Sequence, residues 1–498
     1  ASTEILDWGV LQQSVALTFV QVNYAEGEPE TYLIPLKILI GDEAEALRES
    51  APGSIVGALL SPGGTGVLAD ALYSEEASQA LLATIARSSE LPMQKGLLRG
   101  TPSSIFEELR GATAALPTRR STAEQSNTSI FFGDRLIMKL FRRQQFGPNP
   151  DVEIGRFITE HTAYRNIAPF GGSIDYIRSA EYSDGENTAT IAMLQALVKN
   201  EGDGWQWTLE ELGRYYESCG SSQFPLAQLP RPGAPIDDKS PAMQHAKDFA
   251  GLYLDAACTL GRRTAEMHLA LATTTDDPAF AAEAMDATYL EALQSELLAH
   301  GAHAFETLRG SLAGLPDDGV ERAGLVLSRR RAILSKFAAL KSVGAGAQRI
   351  RVHGDYHLGQ VLRAKGDFVI LDFEGEPARS LAERRAKQSP MKDVAGMVRS
   401  FSYAAFAGLT RFTSRRPQDF EVLEPWARLW EAAAVDEYLF SYRETVKQSA
   451  LVPVEERAFR QLLDVYLLDK ALYELVYELN NRPTWVRIPL AGILSLPQ

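Results

Sequence analysis

The stretch His353-Gly354-Asp355-Tyr356-His357-Leu358-Gly359-Gln360-Val361-Leu362, with Phe368-Val369-Ile370-Leu371-Asp372-Phe373-Glu374-Gly375 just after it, decides how the rest of the chain is read. It places a carboxylate at Asp355, an amide five residues on at Gln360, and a second carboxylate seventeen residues on at Asp372, where an apolar run ends. That residue set suits phosphoryl transfer. The first carboxylate orients or deprotonates an acceptor hydroxyl, while the amide oxygen and second carboxylate hold Mg²⁺ against the charge of the moving phosphoryl group. Mg²⁺ takes hard oxygen donors, so Gln360, Asp372 and Glu374 are suitable types. A His-x-Asp triplet alone is common, and a lone His353 would more often be structural. The conjunction at these spacings is what points to chemistry.

Working outward, such a site needs a lysine on an upstream strand to hold phosphate. Ser129–Phe132 and Arg135–Phe141 read as two strands around a Gly133-Asp134 turn. Lys139 sits within the second, among apolar neighbours, where a lysine is costly to bury without an anion. Before the pair runs a polar, hydroxyl-rich segment, Glu124–Ser129, whose Ser126, Asn127 and Thr128 could stand over phosphates. The helix expected from Asp151 carries Glu153 and Glu160, either of which could pair with Lys139.

The remaining patterns give an α+β, bilobal order. Residues 1–108 form a β-rich cap, with a hairpin of Ser14–Tyr24 and Thr31–Ile40 and a helix over Ala77–Ser88. Residues 109–200 form a small β lobe whose second hairpin is Gly172–Tyr182 and Thr188–Val198. Residues 201–498 are mainly helical, in segments such as Ala246–Ala272, Tyr289–Leu312 and Ala458–Asn480, interrupted by a β island over Arg349–Phe373.

The 498 residues are 45% hydrophobic and 23% charged, ordinary for a globular chain. Lys+Arg 50 against Asp+Glu 64 gives a net charge of −14, which disfavours nucleic acid and anionic membrane surfaces as partners. No apolar run reaches the length of a membrane span. Cys219 and Cys258 make no disulfide framework and suit a cytoplasmic protein. No G-x-x-x-x-G-K-[ST] or G-x-S-x-G string is present, and cysteine and histidine spacing does not support zinc. Pro62-Gly-Gly-Thr-Gly66 reads as a hairpin turn, and His268 as a packed histidine on a helix.

Several strings together resemble the maltokinase family, in the aminoglycoside-phosphotransferase-like branch of the protein-kinase fold. They are Gln125–Ser129, Met138–Arg143, Asn149–Phe157, Leu260–His268, the catalytic stretch, Ser389–Phe401, and Lys470–Trp485. The resemblance implies an N-terminal cap before two kinase lobes. It also implies ATP-dependent phosphorylation of maltose at its anomeric hydroxyl, giving α-maltose-1-phosphate for α-glucan synthesis. It favours Glu153 as the partner of Lys139. It places adenine against the free backbone groups of Gln195-Ala196-Leu197, and the sugar against Tyr473, Glu474, Arg482 and Trp485. The i, i+4 spacing of Tyr473 and Tyr477 would equally serve core packing. The family's usual opening aromatic-basic segment and an initiator Met are missing. The chain is therefore expected to be a truncated form or the kinase module of a fusion with trehalose synthase. A kinase of another sugar, such as glucosamine, and a non-catalytic kinase-like binding module are the competing expectations.

Overall fold

Alternating apolar and polar residues turn most of the first 198 residues into two antiparallel sheets, and helical periodicity takes over beyond them. A computed structural model describes residues 2–12, 14–61, 64–112, 116–121, 127–182, 185–220, 236–237 and 239–496. It resolves into two units, Ala1–Val198 and Lys199–Gln498.

The first unit contains strands β1 (Ser2–Gln12), β2 (Val15–Asn23), β3 (Glu30–Ile40), β4 (Ile55–Ser61), β5 (Gly64–Asp70), β6 (Glu90–Pro92) and β7 (Gly96–Pro102). After these come β8 (Thr118–Arg120), β9 (Asn127–Phe132), β10 (Leu136–Phe141), β11 (Arg143–Gln144), β12 (Phe170–Arg178) and β13 (Thr188–Ala196). Its helices are α1 (Asp42–Ser50), α2 (Glu75–Ala86), α3 (Phe106–Arg110) and α4 (Pro150–His161). One sheet runs β1-β2-β3-β5-β4, with β11 also on β3; the other runs β6-β7-β12-β13-β10-β9-β8.

The expected β2/β3 hairpin forms, with Val15 opposite Lys37 and Val22 opposite Glu30. Ser61 pairs with Gly64, and residues 62 and 63, on which the expected hairpin turn falls, lie outside the described ones. Strand β1 was not expected, because Asp7 and Gly9 interrupt its apolar pattern. Asp7 is nonetheless buried and satisfied: its carboxylate accepts from Tyr176 Oη at 2.7 Å and from the Lys95 N–H at 3.1 Å. Strands β6 and β7, within the stretch read as cap, run in the same sheet as β12 and β13.

Val15, Leu17, Phe19 and Leu33 of one sheet and Ile130, Phe132, Met138 and Leu140 of the other share a single core. The alternation along β10 sends Leu136, Met138 and Leu140 into that core and leaves Lys139 on the opposite face.

The second unit contains the short pairs β14 (Glu283–Ala284) with β15 (Gln348–Arg349), and β16 (Val361–Ala364) with β17 (Asp367–Ile370). Its helices are α5 (Gly204–Cys219), α6 (Pro241–Leu271), α7 (Ala287–Ser311), α8 (Asp317–Ser328), α9 (Arg330–Ser335), α10 (Leu340–Val343) and α11 (Leu381–Arg385). They continue with α12 (Met391–Thr413), α13 (Phe420–Val446), α14 (Glu456–Asn481) and α15 (Arg487–Ser495). Helix α6 starts at a Ser240 cap followed by Pro241, a strong helix-start signal. Among the described residues, no helix is long and apolar enough to cross a membrane.

Candidate active site

In the second unit the loop from Ile350 to Gln360 lies between β15 and β16, and Asp372 follows β17. Asp393, in the first turn of α12, fixes the loop: its Oδ2 accepts from the His353 N–H at 2.8 Å and its Oδ1 from the Gly354 N–H at 2.9 Å. Gly354 has φ 86, a left-handed conformation that glycine adopts without a Cβ clash. His268 Nε2 donates to Asp393 Oδ2 at 3.1 Å, and its Nδ1 lies 2.9 Å from Tyr442 Oη. His268 is therefore the packed histidine expected of it. Burial pushes the Asp393 carboxyl up. The hydrogen bond and charge of His268 and the Gly354 N–H outweigh that and hold it below the usual range.

His353 is buried, and its Nε2 lies 2.8 Å from the Leu371 carbonyl. A carbonyl only accepts, so Nε2 carries the proton and Nδ1 faces the Asp355 N–H at 3.4 Å. The histidine thereby ties the Asp355 loop to the strand that presents Asp372. Gln360 Nε2 donates to Asp372 Oδ2 at 3.0 Å, and its backbone carbonyl accepts from the Leu371 N–H at 2.9 Å. Asp372 has φ 66, uncommon for a residue other than glycine. Ligand oxygens of Asp372 and Glu374 lie within 4.8 Å of each other. Two carboxylates and an amide so gathered fit a hard divalent cation such as Mg²⁺, which when bound would neutralise phosphate charge.

Around Asp355 stand Lys470 Nζ at 3.9 Å and His357 Nε2 at 4.0 Å. Burial drives the His357 imidazole below its usual value against the pull of Asp355. Lys470 also lies over the Tyr473 ring, 4.8 Å from its centroid. Burial, then the charge and hydrogen bond of Glu376, then the charge of Asp355, raise the Tyr473 phenol well above its ordinary range. Tyr473 thus belongs to the surroundings of the Asp355 loop.

Other residues expected to hold the sugar are engaged differently. Glu474 is 8% exposed, and its Oε2 accepts from Arg399 Nε at 2.9 Å. Arg482 donates to Glu478 at 2.7 and 3.0 Å, and Glu478 also accepts from Tyr403 Oη at 3.0 Å. Trp485 stacks on Tyr403 and lies under the Arg482 guanidinium. Glu474, expected as a sugar ligand, thus stands in a buried ion pair, and an unpaired Arg399 there would be costly.

In the first unit, Lys139 Nζ lies 3.3 Å from Asp151 Oδ2. Asp151, which the sequence reading did not weigh, is thus a partner of Lys139 beside the preferred Glu153. Helix α4 starts with an Asn149 cap and Pro150, which fixes its phase, and residues two apart on a helix point to opposite sides. Asp151 takes the buried side, beside Val152 of the small cluster Phe141, Val152, Phe170 and Met193.

Thr128 Oγ1 accepts from Arg142 Nε at 2.9 Å, and Arg142 pairs with Asp70 at 2.7 Å. Thr128 is therefore tied into a side-chain network, where the sequence reading had it over a phosphate. Asn127 opens β9 opposite Phe141, and Ser126 lies outside the described residues. The backbone N–H groups of Ala196 and Leu197 are engaged, where the expectation had them free. The Leu197 N–H donates to Arg135 O at 2.7 Å, the Ala196 N–H donates to Pro169 O at 2.9 Å, and Gln195 pairs with Ile137 and Phe170 in the sheet.

No family model matches the chain. A glucosamine kinase of Streptacidiphilus jiangxiensis is 25% identical over 401 residues, which cover 80% of this chain and 77% of that protein. A glucosamine kinase of Mycolicibacterium smegmatis is 27% identical over 382 residues, covering 76% and 79%. A solved glucosamine kinase in complex with glucosamine, ADP and inorganic phosphate matches 100% of this chain and 94% of its own length, with TM-score 0.64 and 21% identity. Another crystal form gives TM-score 0.65. The fold is thus α+β and kinase-like, a sheet-rich unit followed by a helical one, as in these enzymes.

Sequence reasoning gave no role of their own to Asp151, Asp393, Glu376 and Lys470, although Asp393 and Lys470 lie in the strings that carry the resemblance. Asp393 carried a usable signal, a lone carboxylate inside the apolar run Met391–Val398. Chemically, the arrangement offers a partly exposed carboxylate on a braced loop, next to oxygen donors suited to a metal.

Proposed function

We propose that this chain transfers the terminal phosphoryl group of ATP to a sugar hydroxyl. The acceptor in this reading is the anomeric hydroxyl of maltose, giving α-maltose-1-phosphate. The observation that carries it is the Asp355 loop, anchored by Asp393 and joined through Gln360 to Asp372, within the fold of the glucosamine kinases. Asp355 orients the acceptor hydroxyl and takes its proton. Gln360, Asp372 and Glu374 would hold Mg²⁺, and Lys139, positioned by Asp151, would meet the nucleotide phosphates. Asn127, Ser126 and the Gln195–Leu197 segment would complete the nucleotide's surroundings. The strings Ser389–Phe401 and Lys470–Trp485, which resemble maltokinases, support maltose as acceptor.

A second reading, glucosamine as acceptor, is favoured by the two relatives at 25% and 27% identity. ATP consumption against maltose, glucose and glucosamine, with the phosphate position read by phosphorus NMR, separates the two. The expected result is turnover with maltose and a product phosphorylated at the anomeric position. Turnover confined to glucosamine would replace the first reading by the second, and no turnover with any sugar would remove both.

A further inference from the structure

A lysine stands close to Asp355, and its charge bears on what can be bound there. Lys470 projects from α14 with its Nζ 3.9 Å from Asp355 Oδ1, inside ion-pair range but beyond a hydrogen bond. Its other contact is the face of the Tyr473 ring at 4.8 Å. The side chain is 29% exposed and that of Asp355 26%, so both border solvent. An ammonium has three N–H donors and no acceptor. Neither contact saturates them, so Lys470 can donate to a hydroxyl brought to Asp355.

Glu376, the carboxylate beyond Tyr473 that a cationic substrate could also use, is already engaged. Glu376 lies 3.4 Å from Arg379 Nε, and Arg379 in turn pairs with Glu383 and Glu296. Lys392 approaches the same carboxylate from α12, its own value lowered by burial. His357 is held below its usual value and adds no acceptor of a formal positive charge.

We infer that Lys470 is a specificity-determining residue that selects sugar acceptors without a positive charge and disfavours protonated amino sugars. The inference rests on the sugar-kinase reading above and names the acceptor class within it. A protonated amine is, like Lys470, a donor only, so it cannot accept from the lysine and meets it as a like charge. At a separation of about 6 Å and an effective dielectric of 20 to 40, that repulsion lowers kcat/KM for the amino sugar roughly 10- to 100-fold. A neutral hydroxyl at the same place both accepts from Lys470 and donates to Asp355.

The matched pair glucose and glucosamine isolates the amine, and maltose is run beside them. Wild type, Lys470→Gln and Lys470→Arg are compared by kcat/KM for each sugar near neutral pH, at low and at high salt. Wild type is expected to prefer glucose over glucosamine by about tenfold or more. Lys470→Gln should collapse that ratio towards unity, and Lys470→Arg should keep it. High salt should weaken the preference in wild type and leave Lys470→Gln unmoved. A glucosamine preference in wild type, or a ratio identical in wild type and Lys470→Gln, overturns the inference while leaving the kinase reading intact. Absence of transfer to any of the three sugars overturns the kinase reading, and this inference falls with it.

Discussion

Replacing Glu474 by Ala removes a carboxylate held between α12 and α14, 2.9 Å from Arg399 Nε and 2.8 Å from Nη2. The two side chains are 6% and 10% exposed, so water cannot take over the lost partner. Breaking a buried pair from one side leaves an uncompensated charge and costs about 3–5 kcal/mol. The helical unit spans Lys199–Gln498. An unfolding entropy of about 2.1 cal/mol/K per residue then gives about 0.6 kcal/mol per degree, so its Tm should fall by roughly 5–8 °C. Changing both partners, Arg399→Met with Glu474→Leu, removes the charge together with its need for a partner and should recover most of the loss. Calorimetric melts of the parent, both single variants and the double variant close a double-mutant cycle. A sugar ligand would behave in the opposite way. Glu474→Ala would then melt like the parent and lose roughly 5- to 150-fold in kcat/KM for the acceptor, the effect of about 1–3 kcal/mol of lost hydrogen bonding. That outcome would refute the buried-pair argument.

The remaining expectations concern the chemistry and the pH dependence. Asp355→Asn should lower kcat by on the order of 10³ while leaving nucleotide affinity nearly unchanged, checked by steady-state rates and by calorimetric titration with ADP. Asp372→Ala should abolish the rise in Tm that Mg·ATP gives the parent, because a ligand stabilises only a fold that still binds it. Burial raises the Asp464 carboxyl to about 6 from 3.8, against the opposing charges of Lys336 and Arg460. Its folded value lies above its unfolded one, so its favourable contribution is complete below about pH 4 and lost as pH rises through about 6. Asp464→Asn should therefore stabilise the protein by up to about 3 kcal/mol at pH 7.5 and by nothing near pH 4. Melts that coincide with the parent's at both pH values would contradict this.

What was legible in the sequence was whatever repeats with a period or depends on near neighbours. The β2/β3, β9/β10 and β12/β13 pairs and the long helices α6, α7 and α14 follow from alternation, turn residues and caps. The closeness of Gln360 and Asp372 was legible because one loop and one hairpin carry both. What was hidden depends on the phase of one element against another. On α14, Tyr473 and Tyr477 resemble a core stripe and Glu474 and Glu478 a solvated one. The structure inverts this, with the tyrosines 37% and 45% exposed and the glutamates buried. The reason lies 75 residues upstream, where α12 presents Arg399 and Tyr403 to the two glutamates. No local pattern in α14 records that. On α4 the choice between Asp151 and Glu153 is likewise a matter of helix phase, though the Asn149-Pro150 start was available to set it.

The polar groups of the helical unit fall into two kinds, and the division explains how a reactive carboxylate can be kept available. Asp393, His268 and His353 are buried and hydrogen-bonded to one another or to the loop backbone, so the position of residues 353–355 costs no exposed contact. Asp355 is left partly exposed, with its basic neighbours at 3.9 and 4.0 Å and not at hydrogen-bond distance. A carboxylate gripped by a close guanidinium would have its lone pairs occupied and its basicity lowered. One held only by its backbone, with an ammonium standing slightly off, keeps an acceptor site for an incoming hydroxyl. The same separation leaves Lys470 with donors to spend on the substrate. The buried brace therefore does more than stabilise the fold. By fixing the loop from behind, it removes any need to fix Asp355 from the front, the side on which the proposed acceptor would enter.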